Sequence, residues 1–148
     1  MKQRVTVRAI VLHEGKLLCV KQKLYNELSF TLNDYWNIPG GGLDPGESLI
    51  DCLKREMLEE TAIAAVPGSL MYVQQFAYKD TEYLEFFFHV TNGADYLNID
   101  LYKTSHGEAE IAEIGFIDPA ISKILPEFLT TEPLTEKTRA ATTIYSRL

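Results

Sequence analysis

The sequence predicts a mixed α/β fold, in which a β-sheet carries helices, and three stretches support that reading. Residues 4–22 alternate in the manner of strands, residues 69–91 hold a second strand pair, and the stretch after Glu47 has helical periodicity with one apolar stripe. Strand readings alone leave α/β and α+β both open. At 148 residues the chain is long enough for a sizeable core, and residues 1–148 are expected to form one domain.

In chain order, Val5, Val7, Ala9 and Val11 alternate with Arg4, Thr6, Arg8 and Ile10, a period of two. His13-Glu14-Gly15-Lys16 supplies a turn and Leu17 to Gln22 returns, so Arg4 to Val20 reads as a hairpin. The first 23 residues hold Lys2, Arg4, Arg8, Lys16, Lys21 and Lys23 against Glu14 alone. These are either solvated strand ends or, at Arg8 or Lys21, cations that reach an anionic ligand from the sheet. Residues 23–35 read as a loop with a weak strand, where Tyr25, Phe30 and Tyr35 either pack or stack on a flat ligand. Trp36 to Pro39 leads into the most informative stretch.

Gly40 to Ile63 opens with three glycines, turns at Asp44-Pro45-Gly46, places Glu47, and ends a helix in Arg55-Glu56-Met57-Leu58-Glu59-Glu60. At roughly 100° per residue, Glu56, Glu59 and Glu60 fall within about a 100° arc, one turn deep. Like charges so close repel, and the C-terminal half of a helix is unfavourable to anions, so a cation among them is implied. Oxygen-only donors suit Mg²⁺ or Mn²⁺, which share their shell with phosphates. Ile50, Leu53 and Met57 form the stripe that docks the helix on a core. Pro45 and Gly46 fit the centre of a type II turn, and Gly40, Gly41 and Gly42 let backbone approach a ligand, with a carbonyl able to reach the same metal. Glu47 either pairs with Arg55 or binds a second ion.

Beyond it, Ser69 to Tyr78 and Glu82 to Thr91 read as a strand pair around Lys79-Asp80-Thr81, with Phe86-Phe87-Phe88 marking a strand buried on both sides. His89 reads as a packed strand residue. Residues 92–106 are a polar connection, either a cover over a ligand or an excursion from the sheet. Glu108, Glu110 and Glu113 precede a strand at Ile114 to Ile117. Asp118 to Leu129 reads as helical with an interruption at Pro126, and residues 130–148 as a polar tail with Ile144, Tyr145 and Leu148 able to dock.

The Gly40–Ile63 stretch resembles the signature of the Nudix hydrolases, G-x5-E-x7-R-E-U-x-E-E-x-G-U with U a bulky aliphatic. It is matched by Gly41, Glu47, Arg55, Glu56, Met57, Glu59, Glu60 and Ile63. Chance agreement at the Gly, Glu and Arg positions is on the order of one in ten million per start point. Ala62 replaces the family's second glycine, which normally ends the helix, so the departure bears on the C-cap and removes no ligand. The resemblance implies a mixed sheet sandwiched between this helix and a C-terminal helix, and Mg²⁺- or Mn²⁺-dependent hydrolysis of a nucleoside diphosphate linked to another group. It places Glu56, Glu59 and Glu60, a Gly40 or Gly41 carbonyl, and Glu47 as candidate metal ligands. The general base would be Glu56, Glu60 or Glu110, with Glu108 a second choice to Glu110. Arg55 would orient Glu47 and the helix glutamates. Arg8, Lys21, Gly40 and Gly42 are the candidate substrate contacts. Tyr78 lies 15 residues past Ile63, where relatives that cleave ADP-ribose often carry proline. Tyr78 or Tyr83 points weakly to dinucleoside polyphosphates. Nucleoside triphosphates and nucleotide sugars stay open, as does a catalytically silent sensor module of the same fold.

The remaining numbers narrow the class. A net charge of −7 argues against long nucleic acids, whose phosphates need a basic surface, but not against nucleotides. Cys19 and Cys52 lack metal-ligand spacing, and Cys52 lies in the predicted helix, which favours free thiols and a cytosolic setting. No run reaches a signal core or a membrane span, so no membrane partner is expected. No EF-hand loop is present. Family members are commonly dimers, and no feature of the sequence marks an interface.

Overall fold

β1 (Lys2–His13) is the strand on which the sheet is assembled, and its valines favour an extended, half-buried chain. It turns through Glu14 and Gly15, both at positive φ, into the antiparallel β2 (Lys16–Tyr25). On its other edge it runs parallel to β6 (Thr81–Val90), from Lys2 opposite Thr81 to Val11 opposite Val90. β5 (Pro67–Tyr78) lies antiparallel to β6, and β8 (Thr143–Arg147) lies parallel to β5. β3 (Phe30–Leu32) and β7 (Ile111–Ile117) both pair with β2, while β4 (Gly40–Gly42) pairs with β1 from Thr6 to Arg8. The sheet is therefore mixed, in the order β3-β2-β1-β6-β5-β8. This computed structural model describes residues 1–25, 30–32 and 35–147, and all of their side chains except those of residues 24, 25, 30–32, 108, 109, 144 and 147.

Both faces of the sheet are covered. Helix α1 (Leu49–Thr61) starts at Ser48, whose hydroxyl accepts from the Asp51 N–H at 3.0 Å, the usual role of an N-cap serine. α1 buries Cys52, Leu53 and Met57 against Val7, Ala9, Val11, Phe88 and Val90. Ile50 is only partly buried beside them. The second face carries Ile10, Tyr72 and Phe87, packed against Leu129 and Leu134. The alternation along β1 thus separates two interior faces, not an interior from solvent, and Thr6 and Arg8 stand on the second. Phe87 faces one core and Phe88 the other, which makes β6 the strand buried on both sides.

The C-terminal third departs from expectation. The expected helix over Asp118 to Leu129 is absent: only Phe128–Thr131 (here α3) is helical, after turns, a bridge from Ile124 to Trp36 and a cis Leu125–Pro126 bond. Pro119 and Pro126 each remove a backbone donor and bias the residue before them out of the helical region. The expected polar tail instead forms a short helix, α4 (Leu134–Lys137), and β8. β8 is ordered by the open edge of β5, which offers a row of unpaired backbone groups. Two helices of four residues, not one long C-terminal helix, cover the second face. The connection over residues 92–106 contains 3-10 turns at Gly93–Tyr96 and Leu101–Lys103. No helix among the described residues is long and apolar enough to cross a membrane.

Ala62 closes α1 in the left-handed region, at φ 62 and ψ 14, with its N–H donated to the Leu58 carbonyl. The glycine-type cap therefore persists with a Cβ in place, a conformation that costs an L-residue roughly 1–2 kcal/mol. Ala62→Gly is expected to raise unfolding stability by about 1 kcal/mol, after allowing for the extra freedom of glycine in the unfolded chain. Urea denaturation with the two proteins side by side measures it.

Candidate active site

Arg55 is the centre of the acidic cluster. It sits at the second turn of α1, facing the Gly40–Glu47 loop, and its planar fork binds Glu47 at both ends, Nε to Oε2 at 2.8 Å and Nη2 to Oε1 at 2.9 Å. Nη1 donates to Glu56 at 2.9 Å and to Glu59 at 3.3 Å, and Nη2 also donates to the Gly42 carbonyl at 3.0 Å. Lysine could not satisfy so many acceptors, because only guanidinium presents a rigid multidentate fork. This pairing holds the Glu47 carboxyl far down, at about 2. Glu47 is thus committed to Arg55, the first of its two sequence alternatives, and the Gly42 carbonyl is engaged by the same group.

Glu60 is set apart from that fork. It is only 5% exposed, and its one hydrogen bond in the described structure comes from the Gly40 N–H at 3.2 Å. Burial, and then the charge of Glu56, push its carboxyl up to about 8 against an ordinary 4.5. Glu56 is also raised, because burial outweighs its bond from Arg55. The glycines permit this closeness. A Cβ on Gly41 would stand 2.4 Å from Glu56 Oε1, and Gly40, at φ 142, lies so close to β1 that a Cβ would strike the Val7 carbonyl.

Of the other predicted residues, Glu110 is exposed at the end of a one-turn helix, α2 (Gly107–Glu110), close enough for its charge to act on Glu60. The Glu108 side chain lies outside the described residues, as do those of Tyr25 and Phe30. Glu113 stands on β7 opposite Lys21. The structure does not bring Lys21 to the acids: its ammonium lies over the Trp36 ring, 4.8 Å from the centroid. Arg8 is brought in, and its charge favours the ionised forms of both Glu56 and Glu60. His106, next to the acidic segment in sequence, has its Nδ1 3.2 Å from Glu59 Oε2, and its backbone N–H donates to the Glu59 carbonyl. Burial lowers the His89 imidazole below its ordinary range. Cys19 and Cys52 are free thiols, each pushed up to about 12 by burial.

Arg8 also lines a cavity of about 540 Å³ on the second face of the sheet. Asn37, Gln74 and Glu85 supply further polar walls, and two stacked ring pairs close it, Phe76 on Tyr83 at 5.0 Å and Phe128 on Tyr145 at 4.9 Å. Tyr83 is therefore in the cavity wall, whereas Tyr78 is 60% exposed at the end of β5.

A family model described as a NUDIX domain matches residues 2–131. The chain belongs to the Nudix family. Among curated proteins this Nudix chain is similar to phosphatase NudJ of Escherichia coli K12, with 34% identity over 90 residues, 60% of this chain and 55% of that protein. The match thus spans about half the length of the curated relatives. A NUDIX hydrolase structure from Nitrosomonas europaea superposes with a TM-score of 0.69 at 24% identity, covering 93% of this chain and 92% of that one. An ADP-ribose pyrophosphatase structure from Streptococcus suis gives 0.59 at 18%, covering 96% and 98%. Likeness at these identities shows the fold: a mixed sheet with few helices.

The donors suit the metal the Nudix family generally uses. Glu60 is buried and Glu56 partly buried, both raised by burial, and they stand beside Glu59 and near the Gly40–Gly42 backbone, an oxygen donor set that fits a hard divalent cation. Among the described residues no three ligating side chains already converge on one point, because Arg55 holds Glu56 and Glu59.

The raised Glu60 carboxyl links stability to pH. Its proton is bound more tightly in the folded protein than in the unfolded one, so the stability it contributes is complete below about 4.5 and is lost as pH rises through about 8. Glu56 acts in the same direction, and Glu47 in the opposite one, only towards pH 2. The ion-free protein is expected to melt at progressively lower temperature between about pH 5 and pH 8, and Glu60→Gln to flatten that slope. Scanning calorimetry in chelator across this range tests it; an unchanged slope in the variant would remove Glu60 as the cause.

Proposed function

We propose that this chain is a Mg²⁺-dependent hydrolase, working as one cytosolic domain, that cleaves the diphosphate linkage of a nucleoside diphosphate joined to another group. The observation that carries the reading is Glu60: a buried carboxyl, its proton held to about 8, beside Glu56 and within reach of the charge of Arg8, which lines an aromatic-walled cavity. Such a group is destabilised as an anion until positive charge arrives, which a diphosphate-bound cation brings. Glu56, Glu59 and Glu60, with a Gly40 or Gly41 carbonyl, would hold Mg²⁺ or Mn²⁺. The ion, when bound, neutralises the diphosphate and makes the attacking water more acidic.

The chain's own residues do the rest. Arg55 releases or retains Glu56 and Glu59 while keeping Glu47 fixed, so the loop stays in register with α1. Arg8 contacts phosphate from the sheet. Glu56, Glu60 or Glu110 takes the proton of the attacking water, and each lies in or beside the cluster. The cavity receives the organic group, with Tyr83 and Phe76 as a flat wall. Nucleoside triphosphates, dinucleoside polyphosphates, ADP-ribose and nucleotide sugars all carry such a group. The names of the similar proteins, a phosphatase and an ADP-ribose pyrophosphatase, belong to the same class of chemistry.

The test is a Mg²⁺ or Mn²⁺ panel of these four compound classes, reading phosphate and pyrophosphate release with Glu60→Gln as control. Turnover of one class is expected, with a loss of at least about a hundredfold in the control, as is usual when a group acting on the transition state is removed. Binding without turnover in every class would instead support the silent sensor reading.

A further inference from the structure

The second face of the sheet holds a buried carboxylate that the proposed chemistry does not use. Glu85, on β6, is 6% exposed and stands in register between Thr6 of β1 and Gln74 of β5. Both neighbours donate to it, Thr6 Oγ1 to Oε2 at 2.8 Å and Gln74 Nε2 to Oε1 at 3.1 Å. Arg8, two residues along β1 on the same face, donates its Nε to Oε2 at 3.3 Å. Arg8 and Glu85 both line the cavity.

A carboxylate in the wall of a pocket for anions repels the ligand, so its presence needs a compensating role. The geometry supplies one. Glu85 is fixed from both sides by uncharged donors on neighbouring strands, and it grips the guanidinium at Nε, a bond that uses neither terminal nitrogen. An arginine side chain loses close to 2 kcal/mol of rotamer freedom when it is ordered, and a fork held in place beforehand spares that cost on binding. Planar, bidentate capture of phosphate depends on the direction of the fork as well as its charge.

We propose that Glu85 is a positioning residue, locked by Thr6 and Gln74, that aims the Arg8 guanidinium at the diphosphate of a ligand whose organic group occupies the cavity. This rests on the reading of the cavity and acids given above, and it adds the group that makes Arg8 effective.

Calorimetric titration with imidodiphosphate, a non-hydrolysable diphosphate, in Mg²⁺ tests it without recourse to turnover. Glu85→Gln is expected to weaken binding about tenfold, the loss typical of one positioned hydrogen bond to a charged group. Simple removal of a negative charge would strengthen binding, so the sign itself discriminates. Thr6→Val, which keeps its shape and only releases Glu85, is expected to weaken binding a few-fold and carries the test should Glu85→Gln fail to fold. In an Arg8→Ala background, Glu85→Gln should add nothing further, as two residues acting through one another do not add. Equal or tighter binding by the single variants, full additivity in the double variant, or no binding by the wild-type chain would each overturn the proposal. A wild-type chain that binds imidodiphosphate with the expected pattern yet turns over no compound would overturn the hydrolase reading and leave this one standing.

Discussion

The structure depends on how the charge of one guanidinium is divided among crowded carboxylates. Two like charges about 4 Å apart at an effective dielectric near 20 repel by about 4 kcal/mol, so the acids of α1 could not stand together unaided. Arg55 resolves two of them, Glu56 and Glu59, and Glu47 of the preceding loop, by direct bonds. Its reach ends before Glu60, which stays uncharged by keeping its proton. The same bonds tie the glycine loop to the helix, because Glu47 and the Gly42 carbonyl are among the acceptors. Local fold and reactive cluster are therefore one arrangement. A cation arriving at Glu60 competes with a proton there and with an arginine at Glu56 and Glu59, and both exchanges are open to measurement.

The helix with its acids was legible because its information is local. Residues three and four apart on a helix share a face whatever surrounds them, so Glu56, Glu59 and Glu60 could be placed together from spacing alone. The strand pairs were legible for a similar reason, since alternation and turn residues sit within a few positions of one another. What depended on distant pairing was not. β8 shows no strong pattern of its own, and the edge of β5 makes it a strand. The expected helix after Asp118 failed on two prolines whose effect on the backbone outweighed the apolar content around them. His106 reached Glu59 only because 3-10 turns over residues 92–106 return the chain to the end of α1. Lys21 and Arg8 looked alike in sequence, and the sheet separated them: one lies over Trp36, the other between the acids and the cavity.

Alternation along β1 carried a second lesson. A polar residue at every other position usually marks a solvated face. Here Arg8 lines a cavity walled by Phe76, Tyr83, Phe128 and Tyr145, Thr6 is buried on the same face, and both donate to Glu85. The pattern was correct about two faces, and only packing by the C-terminal segments decides what the second face meets.

Those segments impose an order in time. Among the described residues the acidic cluster draws on nothing beyond Glu110, so it can assemble once α1, the glycine loop and their neighbouring strands have emerged from the ribosome. The cavity cannot, because Phe128 and Tyr145 form one of its walls and Tyr145 is held there by a strand that pairs with β5 after every other strand has been made. A nascent chain thus carries its charged machinery before it has the walls that choose what enters. Translation arrested between residues 117 and 143 would leave β5 with a bare edge for other chains to pair with, and the Arg8 side of the sheet open to water.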